Sequence, residues 1–197
     1  MDQQTIDTYN KLAKEYDEET KPFWGEVPRT FIDKFVSVSG QKVLDIGSGP
    51  GRDGLILKNS GKDVVCLDAS SEMIRLSKSN GLNSVLGDFN SLPFDDNSFN
   101  AVWAYTSLLH TPKNKIGKPL EEIKRVLVGG GMFGLGMIEG ETEEYRESSG
   151  MKLPRLFSFY KKEELEKIVT DNGFELVYFE QFKPRTRVYL NFIFRKL

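Results

Sequence analysis

The 197-residue chain carries a formal net charge of −2, with 39% hydrophobic and 28% charged residues, the balance of one soluble globular domain. That charge gives no global drive toward nucleic acid or an anionic membrane. No apolar run approaches the roughly 18 residues of a membrane span, and Met1-Asp2-Gln3-Gln4 lacks the basic start and apolar core of a secretory signal, so a cytoplasmic protein is expected. A single cysteine, Cys66, excludes internal disulfides and cysteine-based zinc clusters. With His110 the sole histidine, a metal site would have to be built from carboxylates, and none is expected.

Ile6, Tyr9, Leu12, Ala13 and Tyr16 recur at helical spacing and predict one amphipathic helix, ended by Asp17-Glu18-Glu19 and Lys21-Pro22. A second helix is predicted from about Pro28 to Val36, with Phe31, Ile32 and Phe35 inward and Ser39-Gly40 closing it. Residues 1–39 could thus form a helical lid over a ligand site; Tyr9 and Tyr16 read equally as core aromatics.

The stretch Val43 to Gly54 is the most informative in the chain. An apolar run ends in Asp45, Gly47, Gly49 and Gly51 follow at alternate positions, and Leu55 to Leu57 continues as a helix. The pattern predicts a buried strand, a tight turn and a helix N-terminus, whose free N–H groups and dipole favour a negative group. A phosphate-binding P-loop would need Lys-Ser/Thr where Arg52-Asp53 stands, and the dinucleotide pattern lacks its third glycine at Arg52. Asp45 sits badly with a pyrophosphate: two like charges roughly 4 Å apart at an effective dielectric of about 20 repel by about 4 kcal/mol. A ligand with a carboxylate for the helix end and an ammonium or sulfonium for Asp45 suits both. Asp45-x-Gly47-x-Gly49-x-Gly51 resembles motif I of the class I S-adenosylmethionine (SAM)-dependent methyltransferases. The resemblance implies that Asp45, Gly47, Ser48, Gly49 and Gly51 cradle the methionine end of SAM, with Arg52 a carboxylate partner. It also implies that Tyr9 and Tyr16 help to cover the cofactor.

Gly61 closes the helix after the loop, and Asp63 to Leu67 predicts a strand ending at Asp68. An acid about 20 residues past the loop is where a doubly wound fold binds ribose hydroxyls, and strand, acid and spacing agree on that role for Asp68; the alternative is that Asp68, Ser70 or Ser71 caps the next helix. That helix runs from Ser71 to Asn80. Asn83 to Leu86 forms a third strand leading to Gly87-Asp88-Phe89, where Asp88 could accept from an adenine amino group while a following backbone N–H meets a ring nitrogen. Gly87-Asp88 followed by Leu92-Pro93-Phe94 resembles the same family, and Ala69 and Phe89 join the implied cofactor contacts. Cys66 reads as a small core residue and Asp95-Asp96-Asn97 as a solvated turn.

Phe99 to Tyr105 predicts the fourth strand, beside the first at the topological switch point. Family resemblance assigns main chain near Ala104 and Tyr105 to the methionine part of SAM. Ala104-Tyr105-Thr106-Ser107 does not match the Asn/Asp-Pro-Pro-Tyr/Phe signature of methyltransferases acting on nucleic-acid or glutamine amines. Pro119 opens a helix, and Arg125-Val126-Leu127-Val128-Gly129-Gly130-Gly131 resembles the turn before the fifth strand in small-molecule members, here Met132 to Ile138. Glu139 to Gly150 is polar and reads as a substrate-side loop. Phe157 to Tyr160 leads into a helix closed by Asn172-Gly173, and two strands, about Glu175 to Phe182 and Val188 to Phe194, finish the chain with Val188, Leu190, Phe192 and Phe194 on one buried face.

The expected fold is α/β: a doubly wound, Rossmann-like seven-stranded sheet, mainly parallel with a C-terminal antiparallel hairpin and helices on both faces. Residues 1–39 form the lid, 40–138 the cofactor core and 139–197 the substrate side. The resemblance identifies the chain with the small-molecule, type 11/25-like branch, and implies methyl transfer from SAM to a small-molecule acceptor, yielding S-adenosylhomocysteine, with neither nucleic acid nor membrane as partner. A nicotinamide-dependent oxidoreductase and a non-catalytic SAM-binding protein are the competing readings. His110 could act as the general base or be a helix-end histidine bonded to backbone. Glu139, Tyr105 and Tyr160 are further candidates for acceptor contact. Arg146, Arg155, Lys183, Arg185 and Arg187 could recognise an acidic acceptor or be surface charges.

Overall fold

The computed structural model describes residues 1–26, 30–148, 150–184 and 186–197; Pro28 and Arg185 therefore lie outside the described residues. Five parallel strands, β1 (Lys42–Ile46), β2 (Asp63–Asp68), β3 (Asn83–Leu86), β4 (Phe99–Tyr105) and β5 (Leu127–Ile138), are joined at one edge by antiparallel β8 (Phe174–Phe182) and β9 (Tyr189–Lys196). The order β3-β2-β1-β4-β5-β9-β8 makes a seven-stranded sheet whose direction of travel reverses between β1 and β4. At such a point the loops after neighbouring strands diverge and leave a crevice. The mainly parallel sheet with a terminal antiparallel pair is the architecture expected.

Helices cover both faces. Phe31, Ile32 and Phe35 of α3 (Thr30–Val38) and Leu57 of α4 (Arg52–Asn59) pack with Val43, Trp103 and Ile193. On the other face, Leu120 and Ile123 of α6 (Gly117–Val126) and Leu165 and Val169 of α7 (Lys162–Asp171) meet Leu44, Ile46, Val102 and Phe133. Side chains alternate along a strand, so Asp45 shares the Val43 face. That places it on the α4 side, opposite Leu44 and Ile46.

Four details depart from expectation. The N-terminal segment is two helices, α1 (Gln3–Lys11) and α2 (Ala13–Glu26), broken at Leu12, and α2 continues past Pro22. Proline removes one helical hydrogen bond, but contacts in the turn before that point hold α2 down: Arg52 reaches Asp17 and Thr20, and Glu19 accepts from the Ser148 hydroxyl at 3.1 Å. Of the N-terminal helices only α1 and α2 lie over the glycine loop; α3 belongs to the core, its Phe35 ring 4.8 Å from that of Trp103. The segment read as a polar loop contains β6 (Glu143–Arg146), paired antiparallel with β7 (Arg155–Ser158) as a separate two-stranded sheet. Finally, Tyr189 to Phe194 are all buried, because β9 is flanked by β5 and β8 and both its faces are covered. Helix α5 (Ser71–Ser79) matches the predicted span, capped by Ser70 accepting from the Met73 amide at 3.2 Å.

Candidate active site

The loop between β1 and α4 turns through Gly47, Gly49 and Gly51, all in the left-handed region (φ of 64°, 54° and 88°), which only glycine adopts freely. A Cβ at Gly47 would collide with the Cβ of Ser107, so the loop packs directly on the segment after β4. Asp68, at the end of β2, ties the loop down: one carboxylate oxygen accepts the Gly49 amide at 2.8 Å and the other the Ser70 amide at 2.8 Å. Burial raises its pKa, and the backbone amides partly offset that. Two further carboxylates stand beside it. Asp45 is 2% exposed, and burial, then the charges of Asp53 and Asp68, hold its pKa well above the usual carboxylate range. Asp53 accepts from the Trp103 indole at 2.8 Å. Three acids packed this closely make a site that favours a cation.

Arg52 does not stand open to a ligand carboxylate. Its guanidinium bonds the Asp17 carboxylate at 2.5 Å and the Thr20 hydroxyl at 2.6 Å, because α2 crosses the loop at that point. Tyr16 lies on Gly49, with its ring edge against Tyr9 (5.3 Å between centroids). Beneath them the crevice retains two cavities, of about 40 and 50 Å³, lined by Asp45, Gly47, Gly49, Asp68, Tyr105 and Thr106 among others. The Asp88 carboxylate accepts the Met1 ammonium at 3.0 Å and the Asn90 amide at 2.9 Å. Ala69 is half-buried, while Phe89 and Ala104 are sealed in the core, so only main-chain atoms of these last two could serve a ligand.

His110 ends a short 3-10 turn, Leu108–His110, after β4. Its Nδ1 lies 2.6 Å from the Leu156 carbonyl and its Nε2 lies 2.9 Å from the Tyr9 hydroxyl. A carbonyl can only accept, so Nδ1 carries the proton and Nε2 accepts from Tyr9. Burial, aided by the charge of Arg155, lowers the His110 pKa to about 4. The imidazole is thus neutral at pH 7, with its basic nitrogen engaged by Tyr9.

A larger cavity, about 430 Å³, adjoins the crevice. Tyr9, Tyr16, Thr106 and His110 line both spaces and form the partition between them. Arg146, Arg155 and Arg187 line the larger cavity; Lys183, Glu139 and Tyr160 do not. Glu139 is exposed and Tyr160 is buried. Tyr105 lines the crevice instead, stacked on Trp103 at 5.6 Å. Two contributors were not among the predicted site residues. Thr106 has φ of 52°, a strained conformation for a β-branched residue of the kind that clusters at functional sites. Ser107 keeps a buried hydroxyl with no hydrogen-bond partner among the described residues. Neither carries a sequence signal, since both depend on the abrupt turn after β4. Among the described residues no helix is long and apolar enough to cross a membrane.

Residues 44–135 match the family model described as "Methyltransferase domain". An uncharacterised protein of Methanocaldococcus jannaschii is 30% identical over 198 residues, covering 86% of this chain and 76% of its own. Demethylmenaquinone methyltransferase of Renibacterium salmoninarum is 37% identical over 105 residues, covering 52% of this chain and 44% of its own. The chain thus spans less than half of that methyltransferase. Among solved structures, the DhpI–SAH complex superposes with a TM-score of 0.81, with 21% identity over 98% of this chain and 95% of that one.

Proposed function

The chain belongs to the methyltransferase-domain family, and on that premise we propose that it transfers the methyl group of SAM to a small-molecule acceptor by direct in-line displacement. The observation that carries this proposal is the acidic glycine cradle, in which the Asp68 carboxylate bonds the Gly49 amide while Asp45 stands buried on the same loop. The residues fit the cofactor. An ammonium or sulfonium beside buried Asp45 would favour its ionised form, and each Asp68 oxygen retains acceptor capacity for a ribose hydroxyl. Asp88 offers a carboxylate at the end of β3, and Tyr9 and Tyr16 form the cover. Ser107, whose buried hydroxyl has no hydrogen-bond partner among the described residues, also lines this crevice.

When bound, SAM supplies a methyl group already activated by its sulfonium. The chain's task is then to orient the acceptor, and orientation can supply roughly 7–11 kcal/mol of a barrier. Tyr9, Tyr16, Thr106 and His110 stand between the two spaces, the position from which side chains would guide an acceptor atom. His110 is neutral and can take a proton only when Tyr9 yields the Nε2 position. A protonated acceptor would therefore lose its proton to Tyr9–His110 as a unit rather than to a free imidazole. A nicotinamide cofactor would set its pyrophosphate against buried Asp45, which Asp53 and Asp68 flank with further acids.

Calorimetric titration with S-adenosylhomocysteine and with NADH tests the cofactor. The expected result is micromolar binding of the former and none of the latter; the reverse would refute the proposal. Incubation with SAM and a small-molecule library should then release S-adenosylhomocysteine. Cofactor binding with no turnover on any acceptor would favour a non-catalytic SAM-binding role.

A further inference from the structure

We propose that the 430 Å³ cavity takes a small acceptor with an apolar body and an oxyanion, and that Arg155 binds the oxyanion. The inference rests on the methyl-transfer reading for the word acceptor, and on the cavity alone for the charge. Arg155 opens β7 and is only 7% exposed. Among the described residues its direct partners are all neutral: the Tyr9 hydroxyl at 3.2 Å, the Ser148 hydroxyl at 3.3 Å, which itself donates to Glu19, and the faces of Tyr9 and Phe157. Its Nε has no partner, and two of its five N–H donors are used among the described residues. Arg52, Arg125, Arg146 and Arg195 each meet a carboxylate. A guanidinium drawn out of water with no counter-ion is unfavourable unless an anion joins it, and its fork matches carboxylate or phosphate oxygens.

The remaining walls agree. Leu109, Ile138, Phe157 and Tyr189 present apolar surface, and Arg187 adds a second cation. Arg146 is already held by Glu144 at 2.6 Å. Two acids, Glu19 and Glu147, also line the cavity; Glu19 accepts from the Ser148 hydroxyl and the Gly150 amide, both at 3.1 Å. Arg155 bonds Tyr9, which stands in the partition, so an anion held there would lie one residue away from the cofactor side.

Benzoate, phenyl phosphate and neutral benzamide serve as probes of similar shape, titrated calorimetrically into protein saturated with S-adenosylhomocysteine. At least one anion should bind tenfold or more tightly than benzamide, and the ratio of the two anions separates carboxylate from phosphate recognition. Arg155→Gln should erase the preference and Arg155→Lys should keep part of it. Equal binding of all three probes, or no binding, overturns the proposal, as does a preference that survives in Arg155→Gln. Should that variant fail to fold by circular dichroism, the wild-type comparison and Arg155→Lys decide. Failure to bind S-adenosylhomocysteine would count against methyl transfer instead, and the probes are then compared on the protein alone.

Discussion

The Tyr9 hydroxyl donates to Nε2 of His110 across 2.9 Å, joining α1 to the turn after β4 over the mouth of the crevice. The direction of that bond is fixed from the far side of the ring, where Nδ1 must donate to the Leu156 carbonyl. The N-terminal helix, the β4 turn and the β7 strand therefore meet at one neutral imidazole.

This arrangement gives the fold a defined acid sensitivity. The folded-state pKa of His110 is about 4, below the ordinary 6.5. Below pH 6.5 the unfolded chain takes up a proton that the folded chain refuses, so stability falls as the pH drops from 6.5 toward 4. The full effect is roughly 3 kcal/mol. Asp45, Asp53 and Asp68, with raised pKa values, act in the opposite sense. The His110 contribution is therefore isolated as the difference between wild type and His110→Gln. Urea denaturation at about pH 7 and about pH 4.5 should show a smaller loss in the variant, and equal losses would refute the assignment.

Asp68→Ala should weaken S-adenosylhomocysteine binding at least tenfold, or about 1.4 kcal/mol. It removes both the acceptor for ribose hydroxyls and the tie to the Gly49 amide. Calorimetry measures the affinity and circular dichroism verifies the fold; unchanged affinity would exclude the ribose role.

Gly47→Ala should cost about 1–3 kcal/mol of stability from the left-handed backbone alone, and more from the collision with Ser107. The readout is the urea midpoint. Gly61→Ala, where φ is also positive but no atom lies within 4 Å of the added Cβ, is the control for the collision and should be milder.

Arg52→Ala should release α2 from the loop, since it deletes the contacts to Asp17 and Thr20. Limited trypsin digestion should then cut within residues 11–21 faster than in wild type, with the core protected. An unchanged cleavage rate would mean that Glu19 and the tyrosines hold α2 without it.

The glycine crevice was legible because its geometry depends on local sequence. The loop, its glycines, Asp45 and Asp68 lie within 24 positions of each other, and the strands that carry them are apolar runs with glycine stops. The terminal hairpin was equally clear from its β-rich runs around Pro184. Less visible were features decided by contacts distant in sequence. Leu12 breaks the helix without glycine or proline, and α2 runs on past Pro22, with Arg52 and Ser148 holding the turn before it. Glu143 to Arg146 shows no apolar alternation, yet pairs as a strand with β7. Arg155 was readable only as one of several basic residues. Its apolar neighbours Leu156, Phe157 and Phe159 were the signal that it is drawn inward.

The β6–β7 hairpin enters the chain between β5 and α7, after the last parallel strand has been laid down. It supplies Arg146, Arg155 and Phe157 to the larger cavity, whereas the glycine loop, Asp45 and Asp68 come from the first half of the sheet. The larger cavity thus draws part of its wall from a late stretch of the chain, while Tyr9, Tyr16, Thr106 and His110 are shared with the crevice. Exchanging residues 139–160 for a hairpin of another shape would therefore reshape the pocket and also loosen the cover of the crevice, since Leu156 anchors His110 and Ser148 anchors α2 through Glu19.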